Sequence, residues 1–449
     1  MTIDNTWLSC FKEEAVEAFS DSCPFRPQAV FSDGQIRLMQ SPPMQPQTWD
    51  EYIYKRFVNH YKYFLQKSPV LVVAFDNYTY VPVAKSMTQI SRRKHVPTIP
   101  FSTSCPLPCM VPEGETWMQL ISNRTFKLKL IELLAMKLPK LLLTMFPDKT
   151  IIIDYDVPCK YTMDSGTVLC EVMSDLPPLG EADVKFTRWA DKYEKLLVDS
   201  IDGDSVPIAL MHFERKLMQE VCPPKIAIYR YKVNIQAKQP AAKKAKTTAD
   251  TTGAGTSAAK KKGKEYEYLD IHTLFLALQQ GVKQTIGMLK LQQHEGHEIR
   301  MIIALITLTG TDFSRHLAQV SGKSIWDMLV SIWIPLMASY DPLAQQFRTS
   351  VAMNKLIPKI YCNKFNKILP QTSMNYEQVH SLLMHAPKMA DRTKKSIPSP
   401  EQIETTIKNC NWVLQYWMCE PYPNPVSEQF GYKQVDGKVS YSDIDMHCI

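Results

Sequence analysis

Carboxylates recur in this chain where short apolar runs give out, an arrangement suited to cation-dependent chemistry on a phosphate. Asp76 closes the run 70–76 (VLVVAFD). Glu181 and Asp183 stand two apart in LPPLGEADVKF, at a loop-to-helix entry where both side chains can address one point. Asp202 and Asp204 repeat that spacing in SIDGDS, directly after the apolar run that begins at Leu196. Asp312 lies in LITLTGTDF, where a predicted helix breaks at Gly310. A single Asp at a strand end is ordinarily a turn or cap former, and GEAD or DGD taken alone says little. The ordered set says more. Carboxylates brought together without cations raise one another's pKa and disfavour the folded state. Hard divalent cations relieve this, because Mg²⁺ takes oxygen ligands and keeps much of its water. Two such ions about 4 Å apart support phosphodiester hydrolysis by generating hydroxide and stabilising the leaving oxygen.

These side chains need a scaffold that gathers them. The runs VLVVAFD, TIIID (150–154) and LLVDSID (196–202) are short and rich in β-branched residues, as strands buried on both faces of a parallel sheet are. Helical stretches alternate with them. Thr48-Trp-Asp-Glu51 has the form of a capping box and opens an amphipathic run to Gln66, while 125–146 and 182–195 carry apolar residues at helical spacing. The expectation is an α/β fold with a mostly parallel central sheet flanked by helices. In such sheets ligands bind at the carboxyl ends of the strands, which is where these acids fall.

The segment 237–264 (AKQPAAKKAKTTADTTGAGTSAAKKKGK) has no aromatic residue and almost no large aliphatic one, so the sequence predicts a disordered linker. Its Lys clusters at 243–246 and 260–264 would suit nuclear import or phosphate contact, or merely a solvated linker. Beyond it, 265–334 reads as almost wholly helical, and 335–449 as helices with Pro-rich joints and a polar tail. The 449 residues are 45% hydrophobic and 22% charged, enough for a sizeable core. A net charge of +7 is compatible with a polyanionic partner without demanding one. The eleven cysteines lack metal-type spacing and read as free thiols of a reducing compartment. No signal peptide and no membrane-length apolar run is apparent, so a soluble intracellular protein is expected.

Taken together, VVAFDN with the basic stretch 80–94 (YVPVAKSMTQISRRK) behind it, GEAD, SIDGDS and TGTDFSRHLAQVSGKSIWDML resemble, in order, the motifs of the flap-endonuclease/XPG family of PIN-like nucleases. The resemblance spans residues 70–330. It implies a PIN-like core over 1–236 with an unusual insert at 96–179, a linker inserted within that core, and the rest of the core with a helix–two-turn–helix-like region over 265–334. A helical C-terminal extension would follow. It implies that Asp76, Glu181, Asp183, Asp202, Asp204 and Asp312 hold two Mg²⁺ ions, with Mn²⁺ a possible substitute. Lys85, Arg92 and Arg93 would reach the scissile phosphate or a single-stranded arm. The activity implied is structure-specific 5′ nuclease cleavage of branched or 5′-ended DNA, in the nucleus.

The family also places an Asp at the end of its first strand. Asp4 is the candidate favoured here, because Trp7, Leu8, Phe11, Ala15 and Phe19 then form a helical stripe behind it. Asp33 in QAVFSDGQ is the rival, with a better strand before it but a Gly and an expected hairpin turn after it. The family's G-I-G-P-K reads Gln319-Val320-Ser321-Gly322-Lys323, so two glycine positions carry side chains and duplex binding there is in question. Asp154 and Asp156 are expected to be structural. His294-Glu-Gly-His297 lacks zincin spacing, and Ser314 with His316 does not make a triad. Two other functions stay open: a catalytically silent scaffold or RNA-regulatory protein on the same fold, and an RNA-directed 5′ exonuclease.

Overall fold

A computed structural model of the chain describes residues 5–43, 48–77, 116–176, 178–232, 265–288, 297–310, 317, 319–387, 389–418, 430–435 and 438–441. Among the described residues nine strands form one sheet: β1 (Phe19–Ser20), β2 (Ala29–Asp33), β3 (Val70–Ala74), β4 (Thr150–Asp154), β5 (Cys159–Asp164), β6 (Thr167–Val172), β7 (Lys195–Asp199), β8 (Lys225–Tyr231) and β9 (Tyr266–Asp270). Their spatial order is β1-β9-β8-β7-β2-β3-β4-β5-β6. The five strands from β8 to β4 are parallel, and the strands at both edges run antiparallel. In chain order the parallel strands lie 3-2-1-4-5. The chain therefore winds outward from β2 through β3 to β4, returns, and winds the other way through β7 to β8. The reversal between β2 and β7 is the topological switch point at which open α/β sheets form their crevice.

The apolar strands are covered on both faces, as their near-continuous hydrophobic pattern requires. On one face lie the helix that runs from Trp49–Ile53 through a π turn (Tyr54–Val58) into Asn59–Leu65, and the long helix Arg124–Met145. The expected capping box is present: Thr48 Oγ1 accepts from the Glu51 amide at 3.2 Å and Glu51 Oε2 accepts from the Thr48 amide at 3.0 Å. On the other face lie Ala182–Lys192, Ser205–Met218 and Ile271–Met288, packed with the N-terminal helix Asn5–Glu14. The helical stripe at the N-terminus is buried through Trp7, Leu8, Phe11 and Ala15.

Three expectations change. TIIID, read as part of the 96–179 insert, is β4, the third parallel strand of the sheet, and the β5–β6 hairpin continues the sheet at its edge. Residues 266–270 form a strand rather than the start of a helix, because Tyr266-Glu-Tyr-Leu-Asp alternates at period two and β9 pairs antiparallel with β8. The two strands flank residues 233–264, so the Lys-rich stretch expected to be a linker lies outside the described residues. The helices beyond 335 also do not stand apart. Ile357, Tyr361, Trp412 and Trp417 are buried in the same core as Trp7 and Ile152.

Candidate functional site

Asp33 is the last residue of the first parallel strand, 4% exposed, at the switch point. The helix Gly34–Met39 begins immediately after it, and Asp33 Oδ1 accepts from the Ile36 amide at 3.0 Å as its N-cap. The Gly that suggested a hairpin has another cause. A Cβ on Gly34 would lie 2.6 Å from the Phe75 ring and 2.9 Å from the Ala74 carbonyl oxygen, so the close approach of β3 excludes a side chain. Asp33, not Asp4, thus ends the first parallel strand. Asp4 itself lies outside the described residues.

Asp76 follows β3 and is 5% exposed. Its Oδ1 accepts from the Ala182 amide at 3.0 Å, so this carboxylate holds the first turn of the helix that carries GEAD. Next to it the Asn77 amide donates to the Gly180 carbonyl at 2.6 Å, and Asn77 Nδ2 donates to Asp156 Oδ1 at 2.8 Å. Glu181, fully buried, and Asp183, half-buried in the first helical turn, are therefore docked beside Asp76. The N-terminus of that helix also favours negative charge.

One residue of the same segment went unread in the sequence. Lys185 is fully buried, and its Nζ donates to the carbonyls of Phe75 (2.7 Å), Tyr155 (2.8 Å) and Asp154 (3.1 Å), with Asp154 Oδ1 at 3.3 Å. Burial pushes its pKa down, while the charges of Asp154 and Asp76 oppose that. Lys185 thereby ties the carboxyl ends of β3 and β4 to the GEAD helix. Asp154 is structural, as expected: Arg188 grips it with both Nε and a terminal nitrogen, and Trp189 Nε1 donates to it at 2.7 Å.

At the other side of the switch point the strand ends at Asp199, three residues before the position taken from the sequence. Asp199 Oδ2 lies 2.8 Å from both Ser32 Oγ and His60 Nε2. Asp202 and Asp204 occupy the loop that follows. Asp202 Oδ1 accepts from the Asp204 amide at 3.2 Å, and Ser205 Oγ donates to the Asp202 carbonyl at 2.7 Å. Asp204 is 2% exposed and directly precedes the helix Ser205–Met218. Arg230, buried on β8, has its pKa pushed down to about 10 by burial, against the charges of Glu267 and Asp202.

The fold thus gathers Asp33, Asp76, Glu181, Asp183, Asp202 and Asp204 along one edge of the sheet, around its reversal. Their donor chemistry is all oxygen, the type that Mg²⁺ takes. Among the described residues, however, no group of three or more His, Cys, Asp or Glu side chains is close enough to hold a metal ion. Asp312, Lys85, Arg92 and Arg93 lie outside the described residues, as Asp4 does. Where the sequence reads Gln319-Val320-Ser321-Gly322-Lys323, Gly322 is required by Trp7, whose ring would sit 2.4 Å from an added Cβ, and Lys323 is paired with Asp327 at 2.6 Å. No described helix is long and apolar enough to cross a membrane. No known protein-family model matches the chain, and no characterised protein matches it in sequence.

Proposed function

We propose that the chain is a metal-dependent phosphodiester hydrolase of the flap-endonuclease kind, acting on branched or 5′-ended DNA. The observation that carries this reading is the placement of acids on the sheet. Asp33 ends β2, Asp76 follows β3 and holds the start of the helix that carries Glu181 and Asp183, and Asp202 with Asp204 follows β7, all around the reversal of a 3-2-1-4-5 sheet. Asp33 takes the place first considered for Asp4. With Asp312, these carboxylates would hold Mg²⁺, directly or through water. The bound ions would supply Lewis acidity toward the phosphate and a water acidic enough to attack it. The chain's own part is positioning. Asp76 fixes the GEAD helix through the Ala182 amide, and Lys185 fixes the strand ends. Lys85, Arg92 and Arg93 would bind the phosphate.

The test is cleavage of end-labelled 5′-flap, bubble and single-stranded DNA and RNA oligonucleotides with Mg²⁺, Mn²⁺ or EDTA, using the full chain, Asp33→Asn and Asp204→Asn. Cutting that requires the cation and drops at least a hundredfold in both variants is the expected result. Turnover near the parent level in both variants would overturn the assignment. A second reading, a scaffold on the same fold without catalysis, is favoured by the lack of a metal-holding triplet among the described residues. Binding without cutting under every cation would select it. Cutting confined to the RNA arm would select a 5′ exonuclease of RNA.

A further inference from the structure

The two faces of the sheet are covered unequally. One is packed along its length by Ala182–Lys192, Ser205–Met218 and Ile271–Met288. On the other, among the described residues, the helices Trp49–Ile53, Asn59–Leu65 and Arg124–Met145 cover β2, β3 and β4, while the flank of Asn59–Leu65 and the connection carrying Cys23 and Phe25 reach toward β8 and β9. On that less covered end the side chains are tyrosines. Tyr229 and Tyr231 alternate along β8, and their antiparallel partners on β9 are Tyr268 and Tyr266.

The rings form a ladder. Tyr229 and Tyr266 stack with centroids 4.8 Å apart and planes within 6° of parallel, and Tyr231 lies 5.0 Å from Tyr266. Tyr63 extends the row at 6.1 Å from Tyr229, anchored by a 2.7 Å hydrogen bond between its hydroxyl and that of buried Tyr268. Tyr63 and Tyr266 remain 38% and 37% exposed. Positive charge accompanies the rings: Lys67 Nζ sits 3.9 Å over the Tyr63 ring, and Arg37 is within electrostatic reach of Tyr266. Asp199, at the foot of the ladder, is engaged by Ser32 and His60.

From this we infer that the Tyr63–Tyr229–Tyr266–Tyr231 ladder is a binding platform for single-stranded nucleic acid. Flat, part-exposed rings beside cations are the surface on which successive bases stack without regard to sequence, while the cations meet the backbone phosphates. Within the row Tyr229 is only partly exposed and shares one face with Tyr266, so the surface offered to a base is the exposed part of Tyr266 and Tyr63 and the outer side of Tyr231. Location argues the same way. Tyr229 is the register partner of Asp199, the last residue of β7, so the ladder starts at the carboxyl edge where the acids stand. It lies two strand spacings, about 10 Å, from β2. A strand laid on the rings would lead away from the proposed cleavage site. The inference deepens the nuclease reading by naming where the unpaired arm goes, and its relation to cleavage rests on that reading.

The experiment measures fluorescence anisotropy of labelled oligothymidylate and of a blunt duplex of equal length. It uses the full chain in EDTA, so that binding is seen without cutting. Tyr266→Ala and Tyr231→Ala should each weaken single-strand binding about tenfold, the loss of one base stack. Tyr266→Trp should keep the affinity, and duplex binding should change little. As a readout independent of variant folding, a 5-bromouracil-substituted strand irradiated on the parent chain should crosslink to Tyr266, Tyr231 or Tyr63. Unchanged affinity in both alanine variants, equal loss with Trp and Ala at 266, or crosslinks confined to other regions would overturn the platform. Parent chain that cuts DNA while Tyr266→Ala binds normally defeats the platform alone. Tyrosine-dependent binding without cleavage defeats the nuclease reading alone.

Discussion

Asp154 shows how a carboxylate at a strand end can be structural while its neighbours remain candidates for chemistry. It has no exposed surface, and it receives Arg188, Trp189 and Lys185 at once. Its burial is stable because every charge there has a partner of opposite sign and a hydrogen bond. Removing one partner would leave two cations in a dry environment. Asp154→Ala should therefore cost about 3–5 kcal/mol of stability, the range for a broken buried pair, read as a fall in the urea midpoint. A loss under 1 kcal/mol would show that Lys185 and Arg188 are compensated by other groups. Asp33 differs in kind. Its carboxylate caps a short helix through Ile36, and a cap is worth only about 0.5–2 kcal/mol. Asp33→Asn keeps an oxygen acceptor for that cap, so the variant should melt close to the parent while losing cleavage.

At the scale of elements, the GEAD helix is the piece that decides whether the site is assembled. Its start is held by the Asp76 carboxylate on the Ala182 amide and by Lys185 on the ends of β3 and β4. Ala182 is the first helical residue, a position where Pro is tolerated because its missing N–H is not needed inside the helix. Glu181 before it is already extended, as a residue preceding Pro must be. Ala182→Pro should thus keep the helix, delete the bond to Asp76 and cost about 1.5–3 kcal/mol, the value of a hydrogen bond to a charged group. Circular dichroism should show unchanged helix content beside a lowered midpoint and lowered cleavage. An unchanged midpoint would mean that Lys185 alone docks the segment.

The same scale shows what could be read in advance. Strands β3, β4 and β7 were legible from their apolar runs, and the helix after Thr48 from its capping box. The helix after Asp33 is hidden because Gly34 reads as a turn, whereas its small size answers to Phe75, a neighbour 41 positions away in the chain. Lys185 gave no usable signal, since a lysine inside an amphipathic helix ordinarily faces water. Strand β9 was missed because tyrosines at period two sat beside a linker and before a strongly helical run.

Across the whole molecule, the α/β core meets the later helices at a buried Arg300–Glu214 contact between Ser205–Met218 and Glu298–Leu308. Arg300 Nε donates to Glu214 Oε2 at 2.7 Å, and another guanidinium nitrogen donates to the Pro342 carbonyl at 2.9 Å. Glu214 is on the helix Ser205–Met218 that follows the Asp202–Asp204 loop, so the site's rear support and the later helices meet here. Burial raises the Glu214 pKa, Arg300 lowers it and Glu298 adds a smaller upward push, leaving it pushed up from 4.5 to about 7. Between those values the folded chain holds a proton that the unfolded chain has released, so stability falls as pH rises from 4.5 to about 7 and levels off above. At about 1.4 kcal/mol per pH unit the full effect is roughly 3 kcal/mol. His212, whose pKa is lowered from 6.5 chiefly by burial, contributes with the opposite sign below pH 6.5, but equally in parent and variant. The difference between parent and Glu214→Gln therefore isolates this one group. Urea midpoints taken across pH 4.5 to 7 should decline in the parent and stay flatter in the variant. Superimposable profiles would mean that Arg300 keeps Glu214 ionised throughout, and that the junction is an ion pair at every pH in that window.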